Sequence, residues 1–182
     1  MNFLFRLFLT FNATSLILVV YLVKERCLLE NILPLFSKLP DFISYTIYFM
    51  IPLVLTFLSL FFSKFLDNDS IQSDDHSAIK EVEQANNAFL PSYLGYFFVA
   101  LSVPHFETLV FVFVILFVFT FLSQTLYFNP LYLVFGYQFY YITTDTNVKV
   151  FIITKRILKN PYDLSFPKLK RINNFTFIDQ EV

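Results

Sequence analysis

Apolar residues concentrate in four stretches of this chain, at about 7–23, 42–62, 85–103 and 108–128. The clearest is Thr108–Phe128, which holds no Asp, Glu, Lys, Arg, His, Pro or Gly over 21 residues. As a helix it is about 31 Å long, the thickness of a bilayer's hydrocarbon core. In lipid the backbone must satisfy its own hydrogen bonds, so a helix is required despite the Val, Ile and Phe content. The first stretch is interrupted by Asn12, Thr14 and Ser15, which carry no charge. The second carries Pro52 at its middle, which predicts a kink, with Thr56 or Ser59 placed to satisfy freed carbonyls. The third is bounded by Pro91 and Pro104 and reaches crossing length only if it begins near Ala85. The pattern predicts an α-helical integral membrane protein with four transmembrane helices within residues 1–128.

Between the second and third stretches lies a polar segment, Ser63–Asn87, with six acids and two lysines. Residues 67–77 read as a disordered loop and residues 78–87 as a helix leading into the membrane. After Asn129-Pro130 the periodicity changes. Tyr137–Ile142 and Val148–Thr154 read as strands joined by a turn at 143–147, and Ile172–Ile178 as a third strand with Phe175 and Phe177 on one face. Residues 129–182 are therefore expected to form a small β-rich domain.

Charge orients the spans. With four crossings, the N-terminus, the 63–87 segment and the tail share one side and carry ten Lys or Arg, against three (Lys24, Arg26, Lys38) on the other. A three-crossing alternative, with residues 90–103 only dipping into the bilayer, gives the same ratio. Under both, the tail is cytoplasmic. Four crossings with the N-terminus on the tail's side is the preferred arrangement.

Composition adds exclusions. The chain is 57% hydrophobic with 27 Phe and 2 Gly. A single cysteine, Cys27, excludes an internal disulfide and reads as an incidental interfacial thiol rather than an acylation site. The first apolar run ends in Lys24-Glu25-Arg26 without a small-residue cleavage site, which fits an uncleaved anchor. His105 and Glu107 read as a solvated turn rather than a proton site, and Asp74-Asp75-His76 as loop rather than metal ligands. Gln124 is the one amide within the fourth stretch, a candidate for a helix contact together with Pro52. No phosphate loop, HExxH, GxSxG or Cys/His metal spacing is present, so neither catalysis nor a cofactor is expected. The tail's seven basic residues, Lys155-Arg156 among them, suggest contact with anionic lipid. Strong nucleic-acid binding is not expected, since 13 Lys and Arg are balanced by 14 acids.

One segment carries a resemblance. Asn129-Pro130-Leu131 is followed by Gly136-Tyr137-Gln138-Phe139-Tyr140 and then by Val150–Pro161, which contains Lys155-Arg156. This run is similar to the KwaA family, the membrane subunits of the Kiwa anti-phage defence system, in which Asn-Pro-Leu closes the last helix and leads to a Gly-Tyr-x-Phe-Tyr strand. The resemblance implies a non-enzymatic sensor or scaffold in the bacterial inner membrane. It also implies that copies form homo-oligomers and recruit a cytosolic, DNA-acting KwaB-like partner through the tail. Gly136 is expected to permit the sharp exit from helix to strand. Tyr137, Phe139, Tyr140, Lys155 and Arg156 are expected either to dock the partner or to form the tail's own core. The competing expectation, motivated by Pro52 and Gln124, is a pore-forming or membrane-disrupting effector.

Overall fold

The computed structural model describes residues 2–31, 40–71, 79–88, 90–123, 129–161 and 164–180. Four helices, α1 (Asn2–Lys24), α2 (Asp41–Ser63), α3 (Leu90–Ser102) and α4 (Phe106–Ser123), stand on a sheet. The strands are β1 (Asn68–Ile71), β2 (Ile79–Gln84), β3 (Gln138–Thr144), β4 (Lys149–Thr154), β5 (Phe166–Arg171) and β6 (Thr176–Asp179), and a short α5 (Leu131–Val134) precedes β3. Their spatial order is β1-β5-β6-β4-β3-β2, antiparallel except for β4 against β6.

Helix α2 is built inside out. On α2 the buried positions are Ser44, Tyr48, Pro52, Thr56, Ser59 and Ser63, spaced three or four apart on one face, and none is aliphatic. Phe49, Ile51, Val54, Phe57 and Phe61 are exposed. A helix in water shows the reverse, whereas in lipid small and polar residues form the contacts that let backbones approach. The central helix is α1, which packs on α2, α3 and α4. In α4 only Leu109 is buried among the described residues. Three helices (α1, α2 and α4) are long and apolar enough to cross a membrane. The third predicted span starts at Leu90 rather than near Ala85, because the residues before it serve the sheet: Ala85 N donates to Phe139 O and Asn86 Oδ1 accepts from Phe139 N. Gln124 lies outside the described residues.

Both helical hairpins leave from and return to the sheet. Asn2 Nδ2 donates to Asp67 Oδ2 (2.8 Å), so α1 begins where α2 ends. Gln180 Nε2 donates to Ser63 Oγ at the end of α2 (3.1 Å). The strands β2 and β3, which flank the α3–α4 hairpin in sequence, are direct neighbours. At the far end, Lys24 Nζ donates to Val103 O and holds the end of α1 against the α3–α4 turn. In a bilayer, therefore, α3 and α4 cross together or neither crosses. Crossing by α4 alone, with residues 90–103 only dipping in, would break the β2–β3 pair.

The acidic segment differs most from its expectation. Asn68–Ile71 is a strand rather than loop, and Ile79–Gln84 is a strand rather than helix. Both are edge strands, whose outward charges suit an unpaired edge. Ile79 and Val82 stand three residues apart, a spacing that one face of a helix also has. A bulge between Ile79 and Glu81 places both on the same face of a strand instead. Strand β5 has the same signature: Phe166 and Leu169 share a face, and Pro167 lies at the irregularity opposite Asp69–Ile71, where a missing N–H is tolerated. The last strand is shorter than expected. It begins at Thr176, and Phe175 sits exposed in the preceding turn while Phe177 is buried.

Both faces of the sheet are apolar because both are covered. On the inner face, Ile79 of β2, Ile142, Ile152 and Phe166 of β5 join one core, with Ile71 of β1 packed against it, so the sheet curls edge toward edge. On the outer face, Phe139, Phe151, Ile153 and Ile178 pack with Phe5 and Leu9 of α1, Leu66 after α2, and Tyr132 of α5.

Candidate functional site

The helices and the sheet meet at a buried polar junction. Asn129 ends the approach from α4 and is 2% exposed. Its Oδ1 accepts from Leu131 N (3.0 Å), the local turn that Asn before Pro favours, and this aims its amide nitrogen inward. There it meets Asn12 of α1 and Thr56 of α2. With the Asn12 amide turned to satisfy all its neighbours, Asn12 Oδ1 accepts from Asn129 Nδ2 (2.8 Å) and Thr56 Oγ1 (2.8 Å), and Asn12 Nδ2 donates to Pro52 O (3.1 Å). The Thr56 hydroxyl is also 2.8 Å from Pro52 O. One turn further along α2, Ser59 Oγ donates to Thr56 O and lies 2.7 Å from Tyr132 Oη.

Every member has a partner, and Asn12, Thr56, Ser59 and Tyr132 have no solvent exposure. In low dielectric such a network holds its geometry because each orphaned group costs about 1–3 kcal/mol. Pro52 has no N–H to give to the carbonyl four residues before it, and its own carbonyl oxygen accepts from Asn12 of α1. The junction thus ties α1, the Pro52–Ser59 part of α2 and the entry to β3 into one hydrogen-bonded unit.

From Tyr132 the chain turns into the sheet through Gly136, whose φ of 79° lies in the left-handed region. Gly136 N donates to Leu133 O and Tyr137 N to Tyr132 O, closing α5. Tyr137, Phe139 and Tyr140 are all buried, Phe139 on the outer face and Tyr140 on the inner. Burial, then the nearby negative charge of Asp179, pushes the Tyr137 phenol above its ordinary pKa.

Several basic residues of the tail make contacts within the molecule. Arg156 stands 3.8 Å from the fully buried carboxylate of Asp179, donates to Ser165 O and lies over the Phe166 ring. Asp179 also accepts from Thr154 Oγ1 (2.8 Å). Lys155 lies over the Tyr137 ring, Lys149 pairs with Glu83, Lys170 donates to Leu66 O, and Arg171 stands 3.8 Å from Asp69. The hydrogen bond to Glu83 raises the pKa of Lys149.

His105 and Glu107 are exposed at the α3–α4 turn. Asp74, Asp75 and His76 lie outside the described residues. Among the described residues no group of three His, Cys, Asp or Glu is placed to hold a metal.

Sequence reading missed the junction. Asn12 registered only as an interruption and Asn129 only as a helix stop. The available signal was one Asn within an apolar run and another at the end of one, since a buried amide in lipid demands a partner.

No curated protein and no solved structure matches the chain. The profile of the family described as anti-phage protein KwaA matches residues 5–178, from the first turn of α1 into β6, and so takes in both helical hairpins, the junction and the sheet. The chain belongs to the KwaA family of anti-phage proteins.

Proposed function

We propose that this anti-phage protein is a non-enzymatic sensor or scaffold subunit of the bacterial inner membrane. In this reading all four helices cross and the sheet faces the cytoplasm. Copies associate, and the sheet side holds a cytosolic KwaB-like effector. The observation that carries the reading is the buried junction of Asn12, Pro52, Thr56 and Asn129, which couples two apolar helices to the chain that enters β3. A change in how α1 and α2 pack is thereby felt at β3. The internal pairing of Lys149, Arg156, Lys170 and Arg171 supports a protein partner over direct nucleic-acid binding.

The test is purification from native membranes in mild detergent, alongside a phage challenge. A stoichiometric soluble companion is expected with the native protein. The Asn12→Leu variant is expected to keep the companion and to lose protection. A homo-oligomer that arrives alone and conducts ions in planar bilayers would replace this reading with the pore. Full protection by an inserted Asn12→Leu variant would remove the junction from the mechanism.

A further inference from the structure

A cavity of about 540 Å³ opens beside the first turns of α1 and the last turn of α2. Its lining is Leu4, Phe5 and Phe8 from α1 and Phe62, Phe65 and Leu66 from α2 and the residues after it. Its volume is typical of ligand cavities. The floor is buried, with Phe5 at 6% and Leu66 at 3% exposure. The mouth is not: Leu4 is 71%, Phe65 57% and Phe62 45% exposed, so the cavity opens sideways, where the helices present their apolar exterior.

Cations stand beside this mouth. Lys64 is exposed in the chain between Phe62 and Phe65. Lys170 of β5 reaches across to donate to the carbonyl oxygen of Leu66, 2.9 Å away. The neighbouring acid, Asp67, is held by Asn2. The sheet begins immediately after Leu66, which sets this level of the molecule at the boundary between hydrocarbon and headgroups.

We infer that this cavity is a binding site for one acyl chain of an anionic phospholipid, with Lys64 and Lys170 beside its phosphate. Three features fit that occupant together: a wholly apolar lining, a lateral mouth, and two ammonium groups at the polar end. Phe5 and Leu66 also belong to the core on the sheet's outer face, so an occupied cavity presses on the packing that holds the sheet. The inference rests on the membrane placement proposed above.

The chain contains no tryptophan, so one introduced residue is a clean reporter. Phe65→Trp, or Phe62→Trp if the first variant folds poorly, is reconstituted as the full chain into phosphatidylcholine vesicles. These contain a minor fraction of acyl-brominated phosphatidylglycerol or, in parallel, of acyl-brominated phosphatidylcholine. Phe119→Trp, on the exposed side of α4, reports bulk lipid. Phosphatidylglycerol is expected to quench the cavity reporter several-fold more than phosphatidylcholine, with no such preference at position 119. Adding Lys64→Gln is expected to weaken the preference about fivefold, and Lys170→Gln to weaken it further. Equal quenching by the two lipids at the cavity would overturn the site and leave only bulk lipid there. Quenching at position 119 but none at the cavity would overturn it in favour of protein cover, such as a second copy. If neither lipid quenches at position 119, the membrane placement itself fails and the site with it.

Discussion

At the scale of single residues, two positions govern how the helices hand over to the sheet. Asn12 supplies an acceptor and a donor to three partners in a place without water. Asn12→Leu fills nearly the same space and removes the hydrogen bonds to Asn129, Thr56 and Pro52 together, so we expect a loss of about 2 kcal/mol. A lowered midpoint in thermal unfolding of the solubilised protein would register it, and an unchanged midpoint would show that the junction relaxes. Gly136 is the second. An added Cβ meets nothing within 4 Å, so its φ of 79° alone sets the constraint, and Gly136→Ala is expected to destabilise by about 1–2 kcal/mol. Gly95 has equal space but lies within α3 without a positive φ, and Gly95→Ala is expected to be neutral or stabilising. The same assay compares the two, and equal effects would refute the conformational argument. The contact of the Thr56 hydroxyl with Pro52 O was within reach of the sequence because the two residues are neighbours in one helix. The part played by Asn129 was not, because its partners sit on α1 and α2 and only tertiary packing brings them together.

At the scale of elements, what could be read and what could not divide along one line. Long apolar runs declare themselves by length, and β3 and β4 by their β-branched and aromatic alternation. The strands β1, β2 and β5 did not, because bulges shift their side-chain period and their charges suit an edge or solvent. Once found, β2 makes a specific demand. Its backbone pairs with β3 from Ile79 to Gln84, and Val82 packs against the inner core. Val82→Pro removes a backbone donor and bends the strand. We expect it to release β2, seen as faster amide exchange in β3 while exchange in α1 and α2 stays slow. Unchanged protection of β3 would mean that β2 contributes little to the sheet.

At the scale of the molecule, the two hairpins and the sheet form one object whose ends gather on one side. The native Cys27 and an Asp145→Cys change in a Cys27→Ser background then report opposite faces, because Cys27 follows the far end of α1 and Asp145 lies in the β3–β4 turn. In intact cells a membrane-impermeant maleimide is expected to label Cys27 and to reach Asp145→Cys only after the inner membrane is opened. Labelling of both in intact cells would reverse the orientation assigned from charge. The sheet also has a schedule. Asn68 of β1 pairs with Lys170 of β5, a residue made about a hundred positions later during synthesis. The edge strand must wait, unpartnered, while α3 and α4 are made and placed, and contacts this distant in sequence are slow to close. A chain cut short anywhere before β5 leaves β1 without its partner. Closure of the sheet therefore waits for β5, and it distinguishes a subunit made at least that far from one cut short earlier.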